Sequence, residues 1–133
     1  MSNLAPSVLI VEDDDSTREV IGNILRDGGF SICCEATAAA ALSRIRRKRF
    51  DLVVADINLP GTMNGLGMMQ KARQRRPELR CLFTSGWHQP IVCNPQIDEF
   101  IAKPFRPSEL VGCVWKVLAG NSPNPRVSVA KPH

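Results

Sequence analysis

The fold of this chain is indicated by one stretch near its start, SVLIVEDDD at residues 7–15. A short apolar run that ends abruptly in acids is typical of a buried parallel strand with carboxylates at its carboxyl end. The run LVVAD at residues 52–56 repeats this pattern and ends in Asp56. Because ligands of open parallel sheets bind beyond the carboxyl ends of the strands, these acids are candidate functional residues.

Segments with helical spacing separate the apolar runs. The first follows an S-x-x-E capping box at Ser16 and ends at Gly28-Gly29. The same reasoning predicts three further helices and three further strands: helices from Thr37 into the basic run 46–49, around 66–72 and from Pro107 to Leu118, and strands at 30–34, 79–83 and 99–102. This alternation predicts an α/β fold, a doubly wound five-stranded parallel sheet with helices on both faces.

Two segments depart from this alternation. A fourth helix is expected between Gly86 and Glu99, but Pro90 and Pro95 divide the segment, so that helix is predicted to be short or irregular. The residues from 120 onward are rich in Pro, Asn and Ser and show no periodicity. We therefore expect one domain over residues 1–119 and a disordered tail over 120–133.

Composition excludes several classes of protein. The 17 basic and 13 acidic residues give a net charge of +4, and no apolar run reaches the ~18 residues of a membrane helix. The start of the chain has no export signal, so we expect a cytoplasmic protein with no membrane partner. The five cysteines include no C-x-x-C pair, which argues against a disulfide framework or a zinc site.

Basic residues are concentrated in the middle of the chain, with ten of the 17 between Arg44 and Arg80. The run from Arg46 to Arg49 fits a solvated helix end, where cations complement the helix dipole. No aromatic residues interleave with it as stacking platforms, so direct nucleic-acid binding is not expected.

Acidic, hydroxyl and basic side chains follow four of the predicted strands. Glu12 and Asp13 follow the first, Asp56 the third, Thr84 the fourth and Lys103 the fifth. Three clustered carboxylates repel one another unless a cation lies among them, and oxygen ligands favour Mg²⁺. An ammonium and a hydroxyl beside a hard dication suit a phosphate group. The sequence contains no glycine-rich phosphate loop.

In this order and at this spacing, the motifs resemble a known family. The acid pair, Asp56, the triplet Thr84-Ser85-Gly86 and the triplet Lys103-Pro104-Phe105 resemble the receiver domain of two-component response regulators, which include the chemotaxis regulators. The resemblance covers residues 8–118. It implies a flavodoxin-like sheet with strand order 2-1-3-4-5, and a stand-alone response regulator that acts as a phosphoprotein in phosphorelay signal transduction.

The resemblance also implies a phosphoacceptor and a magnesium site. Asp56 would be the nucleophile that accepts a phosphoryl group from a phosphohistidine on a histidine kinase or a phosphotransfer protein. Asp13, Asp56 and the backbone carbonyl of Asn58 would hold Mg²⁺, and Glu12 would help directly or through water. The family has Asp more often than Glu at position 12.

Further roles are implied for the remaining motifs. Lys103 would pair with the phosphoryl oxygens, and the Lys103-Pro104 peptide bond would be cis, as in the family. Thr84 would hydrogen-bond a phosphoryl oxygen after phosphorylation, and Phe100 occupies the position of the family's rotating switch aromatic. No enzymatic activity is expected beyond self-catalysed phosphorylation and dephosphorylation. The partners implied are a phosphodonor and an unknown downstream protein, with a phosphorylation-dependent dimer as a further state.

Alternative interpretations stay open at this point. One is a Mg²⁺-dependent hydrolase resembling the aspartyl phosphatases, although these usually carry a second Asp where this chain has Asn58, which cannot supply a proton. Another is a pseudo-receiver that works by docking alone. Among single features, residues 12–15 could be only a solvated helix start, and Phe100 could be an ordinary core residue.

Overall fold

The computed structural model describes residues 4–86 and 97–120. Within them, five parallel strands form one sheet in the order β2-β1-β3-β4-β5. The strands are β1 (Ser7–Val11), β2 (Ser31–Glu35), β3 (Leu52–Asp56), β4 (Arg80–Ser85) and β5 (Asp98–Ala102). This is the predicted doubly wound order, and the strand lying between β2 and β3 is the first in the chain.

Four helices are present in the part of the chain that the structure describes: α1 (Asp15–Asp27), α2 (Ala38–Arg47), α3 (Gly65–Ala72) and α4 (Pro107–Leu118). One apolar core packs α2 and α3 against one face of the sheet, and a second core packs α1 and α4 against the other face. β3 lies at the centre, and all five of its residues are buried. The predicted helices on both faces are therefore confirmed.

The residues that begin the helices were predicted with mixed success. The Thr37 hydroxyl accepts a hydrogen bond from the Ala40 backbone N–H at 3.1 Å, so it caps α2 as expected. The capping box at Ser16 is wrong, because the N-cap of α1 is Asp14, two residues earlier, and the helix begins at Asp15. The Asp14 carboxylate accepts from both the backbone N–H and the hydroxyl of Thr17, at 2.8 and 2.7 Å. In a run of four acids an aspartate caps as well as a serine does.

Some predictions fall outside the residues that the structure describes. The prediction of a short or irregular helix around Pro90 and Pro95 concerns such residues. The predicted disordered tail does so too, since Gly120 is its only described residue. The Lys103-Pro104 peptide bond is cis, as expected. Within residues 4–86 and 97–120, no helix has the length and apolar character to cross a membrane.

Candidate functional site

The candidate site lies where the order of the strands reverses, beside the carboxyl ends of β1 and β3. Such a switch point leaves a crevice, and it is where ligands bind in doubly wound sheets. Glu12 and Asp13 directly follow β1, and Asp56 is the last residue of β3. One carboxylate oxygen from each of these three acids lies within 4.8 Å of the others. The structure thus brings together the acids that the sequence predicted at two separate strand ends.

Lys103 joins this cluster from the end of β5. Its ammonium lies 2.8 Å from Glu12 Oε1 and 3.1 Å from Asp56 Oδ2. A backbone hydrogen bond from Lys103 N–H to the Ser85 carbonyl, at 2.7 Å, ties this residue to the end of β4. One ammonium beside three carboxylates leaves two uncompensated negative charges when all four groups are ionised, which a divalent cation would neutralise.

Burial makes this cluster electrostatically unusual. Only 2% of Glu12 is exposed, and this burial raises the pKa of its carboxyl above the usual 4.5, an effect that the Lys103 ammonium and the Asp14 N–H only partly offset. Burial alone would lower the pKa of Lys103, but its hydrogen bonds to Glu12 and Asp56 outweigh that effect and raise it. These contacts therefore favour the charged form of Lys103 beside Asp56.

The turn after β3 orients the Asp56 carboxylate. Its Oδ1 accepts a hydrogen bond from the Asn58 backbone N–H at 2.8 Å, while Oδ2 faces Lys103. The Gly65 N–H, at the start of α3, donates to the Ile57 carbonyl at 2.9 Å, which holds the helix start against the end of β3. A Cβ atom at Gly65 would lie 2.3 Å from the Asp56 carbonyl oxygen, so only glycine fits there.

Thr84 stands beside Asp56 on the neighbouring strand. The two residues are register partners in the parallel pair of β3 and β4, so their side chains point to the same face of the sheet. Thr84 is 1% exposed, and among the described residues its hydroxyl oxygen has no hydrogen-bond partner. A buried hydroxyl without a partner carries a free-energy cost of about 1–3 kcal/mol. The orphaned hydroxyl therefore marks a place where a ligand oxygen would be favourable.

Phe100 lies one strand further along the sheet, as the register partner of Phe83. It is half-buried and packs against the core formed with α2 and α3. The structure therefore places Phe100 on β5, the strand that leads to Lys103. Its switch role stays a prediction.

Sequence reasoning missed several contacts that support the site. The Arg18 guanidinium donates to the Glu12 backbone carbonyl at 2.9 Å, and the Asn58 side-chain amide donates to the Ser85 hydroxyl at 3.4 Å. Gly65 is the third omission, although the Asn64-Gly65 pair is a recognisable turn signal. The contact of Arg18 has no such signal, because nothing in spacing predicts which backbone oxygen a long side chain will reach.

A parallel sheet with three carboxylates, a hydroxyl and an ammonium at its switch point belongs to the class of α/β proteins that handle phosphate groups. A family model for the response regulator receiver domain matches residues 8–114. This match covers most of the chain, which therefore belongs to the response regulator receiver domain family. The predicted resemblance is confirmed.

Individual relatives agree with this assignment. The chain is 31% identical over 128 residues to the DNA-binding response regulator MtrA of Mycolicibacterium smegmatis, a match that covers 94% of this chain and 56% of that protein. It is 32% identical over 124 residues to the response regulator protein FleR of Pseudomonas aeruginosa, covering 90% of this chain and 26% of that protein. The chain thus spans about half the length, or less, of these curated relatives.

A solved structure is similar along nearly its whole length. The receiver domain protein from Methanospirillum hungatei, described as CheY-like, superposes with a TM-score of 0.77 at 27% sequence identity. The match covers 86% of this chain and 94% of that one. The fold and the family therefore agree with each other.

Proposed function

We propose that this receiver domain accepts a phosphoryl group on Asp56 from a phosphohistidine of a histidine kinase or a phosphotransfer protein. The observation that carries the proposal is the contact of Asp56 Oδ2 with the Lys103 ammonium, at 3.1 Å, in a cluster that is otherwise acidic. A carboxylate oxygen of Asp56 attacks the phosphorus, a P–O bond forms and the P–N bond to the imidazole breaks. Lys103 offsets the negative charge of the transferring group.

The same cluster is the proposed magnesium site. Glu12, Asp13, Asp56 and the backbone carbonyl of Asn58 would hold the ion, and the oxygen donors fit the preference of Mg²⁺. When bound, Mg²⁺ would neutralise charge on the phosphoryl oxygens. The two uncompensated negative charges of the cluster and the orphaned hydroxyl of Thr84 both support a site that is completed by a dication and a phosphoryl oxygen.

A cleft beside the site suits docking of the phosphodonor. It has a volume of about 470 Å³ and is lined by Thr17, Val20, Lys103 and Phe105, among others. Val20 is a large apolar residue that is 54% exposed. An apolar wall next to the reactive carboxylate would hold a helix of the donor protein while its phosphohistidine reaches Asp56.

Phosphorylation is proposed to change which partners the domain binds. A phosphoryl oxygen would give the Thr84 hydroxyl its missing partner and draw it towards Asp56, and Phe100 would respond on β5. The output would be binding of a downstream protein or a phosphorylation-dependent dimer. We place this module in the cytoplasm, where thiols such as those of Cys33, Cys34 and Cys113 stay reduced.

The alternatives are less well supported by the site. In the phosphatase interpretation position 58 would supply a proton, but Asn58 is an amide that donates to Ser85 instead. A docking-only pseudo-receiver would have no need of a lysine in contact with two buried carboxylates. We therefore propose no catalysis beyond phosphorylation and dephosphorylation of Asp56 itself.

Intact mass spectrometry with Mg²⁺ and acetyl phosphate tests this function. We expect one added phosphoryl mass on the wild type and none on Asp56→Asn. Asp27→Asn, a matched change at the exposed end of α1, should be labelled like the wild type. Equal labelling of wild type and Asp56→Asn would refute the assignment.

A further inference from the structure

A second surface, the basic cleft, lies between α2 and α3. Its apolar floor is formed by Leu42, Ile45 and Ala72, and its rim carries Arg46, Lys71, Arg75 and Arg76. The volume is about 390 Å³, near the lower end of the ~300–1,000 Å³ that is common for ligand pockets. This cleft is separate from the cluster around Asp56.

The described carboxylates leave most of the charge of the basic cleft unbalanced. Neither α2 nor α3 contains an aspartate or a glutamate. Arg44 on α2 and Arg73, directly after α3, pair with Glu35 and Asp98. By contrast, across residues 4–86 and 97–120 no carboxylate forms a salt bridge with Arg46, Lys71 or Arg75. These cations are therefore available to a partner.

Helix-end electrostatics explain only part of this arrangement. Cations favour the last turn of a helix, which accounts for Arg46 on α2 and Lys71 on α3 taken singly. It does not account for Arg75 and Arg76, which follow α3, or for the grouping of all four cations around one apolar floor. The methylene stems of such arginines and lysines extend apolar surface outward from the floor.

We propose that the basic cleft binds an acidic amphipathic segment of another protein, with an apolar side chain on the floor and carboxylates at the rim. Charge complementarity selects an anionic partner, and bidentate pairing favours carboxylates at the arginines. The floor favours a protein segment over nucleic acid, because no aromatic residue lines the cleft to stack a base.

The position of the cleft makes this binding independent of phosphorylation. Helices that cross between parallel strands run antiparallel to them, so the carboxyl ends of α2 and α3 lie at the amino edge of the sheet. Asp56 lies at the opposite end of the strands. The separation is large, because the ten residues of α2 alone span about 15 Å. A partner in the basic cleft would leave the phosphoacceptor open to its donor.

The probe for this proposal is a short fluorescein-labelled helical peptide with leucines on one face and glutamates on the other. Fluorescence anisotropy at physiological ionic strength measures its binding to the whole chain. We expect the wild type to bind it, and Arg46→Glu with Arg75→Glu to bind at least ~10-fold more weakly. Arg26→Glu with Lys116→Glu changes the net charge equally elsewhere on the surface and should stay within about twofold of the wild type. Gln74→Glu, a near-isosteric change in the lining, should give an intermediate loss.

Each contrary result has a distinct meaning. Equal loss in both double variants, or no binding by the wild type, would overturn the proposal. A control peptide with serine for leucine should bind more weakly, and equal binding would exclude any role of the floor. Duplex DNA that binds more tightly than the peptide and is lost in the same variant would assign the cleft to nucleic acid instead. Asp56→Asn should keep its affinity for the peptide, which separates this test from the proposed phosphorylation.

Discussion

Replacing Gly65 with alanine should both destabilise the fold and slow phosphorylation of Asp56. The added Cβ would lie 2.3 Å from the Asp56 carbonyl oxygen and 3.0 Å from Ile57 Cα, where ordinary contacts begin near 3.4 Å. The neighbours are backbone atoms, so the start of α3 and the end of β3 must separate by about 1 Å, and overpacking of this kind costs roughly 1–3 kcal/mol. A displacement of ~1 Å at a reacting group can cost up to ~100-fold in rate.

Gly112→Ala is the matched control. A Cβ there meets no atom within 4 Å, and Gly112 lies in the interior of α4, so alanine should stabilise the protein by about 0.5–1 kcal/mol. Urea unfolding followed by circular dichroism gives the free energies of unfolding. The rate of acetyl phosphate labelling, measured where both variants are folded, gives the effect on the site. If Gly65→Ala were as stable as the wild type and labelled at the same rate, the close packing of α3 against Asp56 would be refuted.

Three further predictions concern buried polar groups. Arg73→Met removes the guanidinium that pairs with Asp98, whose side chain is 1% exposed, and should lower the free energy of unfolding by roughly 3–5 kcal/mol. Lys116→Met, which removes an exposed ion pair, should lower it by only ~0–1 kcal/mol. Similar losses for the two variants in urea melts would contradict this. Because the pKa of Glu12 is raised in the folded state, the fold should lose stability in EDTA as the pH rises from 4.5 through that pKa. Glu12→Gln should abolish this decrease. Parallel pH profiles of stability for the variant and the wild type would exclude Glu12 as its cause. Thr84→Val should leave the free energy of unfolding unchanged or raise it by up to ~1 kcal/mol. The same variant should bind beryllofluoride with Mg²⁺ more weakly in calorimetric titrations. Unchanged binding would remove Thr84 from the site.

Most of the fold could be predicted because its signals are local. An apolar run such as residues 52–56 fits only a strand buried on both faces, and right-handed crossovers leave few orders for five such strands. The beginning of α1 could not be predicted, because Asp14 and Ser16 are equally good caps within one turn. Tertiary contacts decide between them, and the Thr17 hydroxyl favours Asp14.

The candidate site was predictable in its members but not in its contacts. Glu12, Asp56 and Lys103 lie at the ends of predicted strands, and in any doubly wound sheet the carboxyl ends of the strands are on the same side. Spacing does not show that Lys103, 91 residues from Glu12, contacts that buried carboxylate as well as Asp56. The basic cleft was missed for a related reason. The run 46–49 looks like an ordinary helix end until α3 brings Lys71 and Arg75 beside it.

The site also differs from the other described residues in how well its buried polar groups are paired. Elsewhere the cores are apolar, and the buried Asp98 has its arginine. Around Asp56, burial raises the pKa of the Glu12 carboxyl, and the buried Thr84 hydroxyl has no partner among the described residues. Departures of this kind destabilise a protein and are expected where function requires them. A ligand that supplies the missing charge and hydrogen bond binds only the folded state, so a dication with a phosphoryl group or its mimic should stabilise this domain in proportion to its affinity.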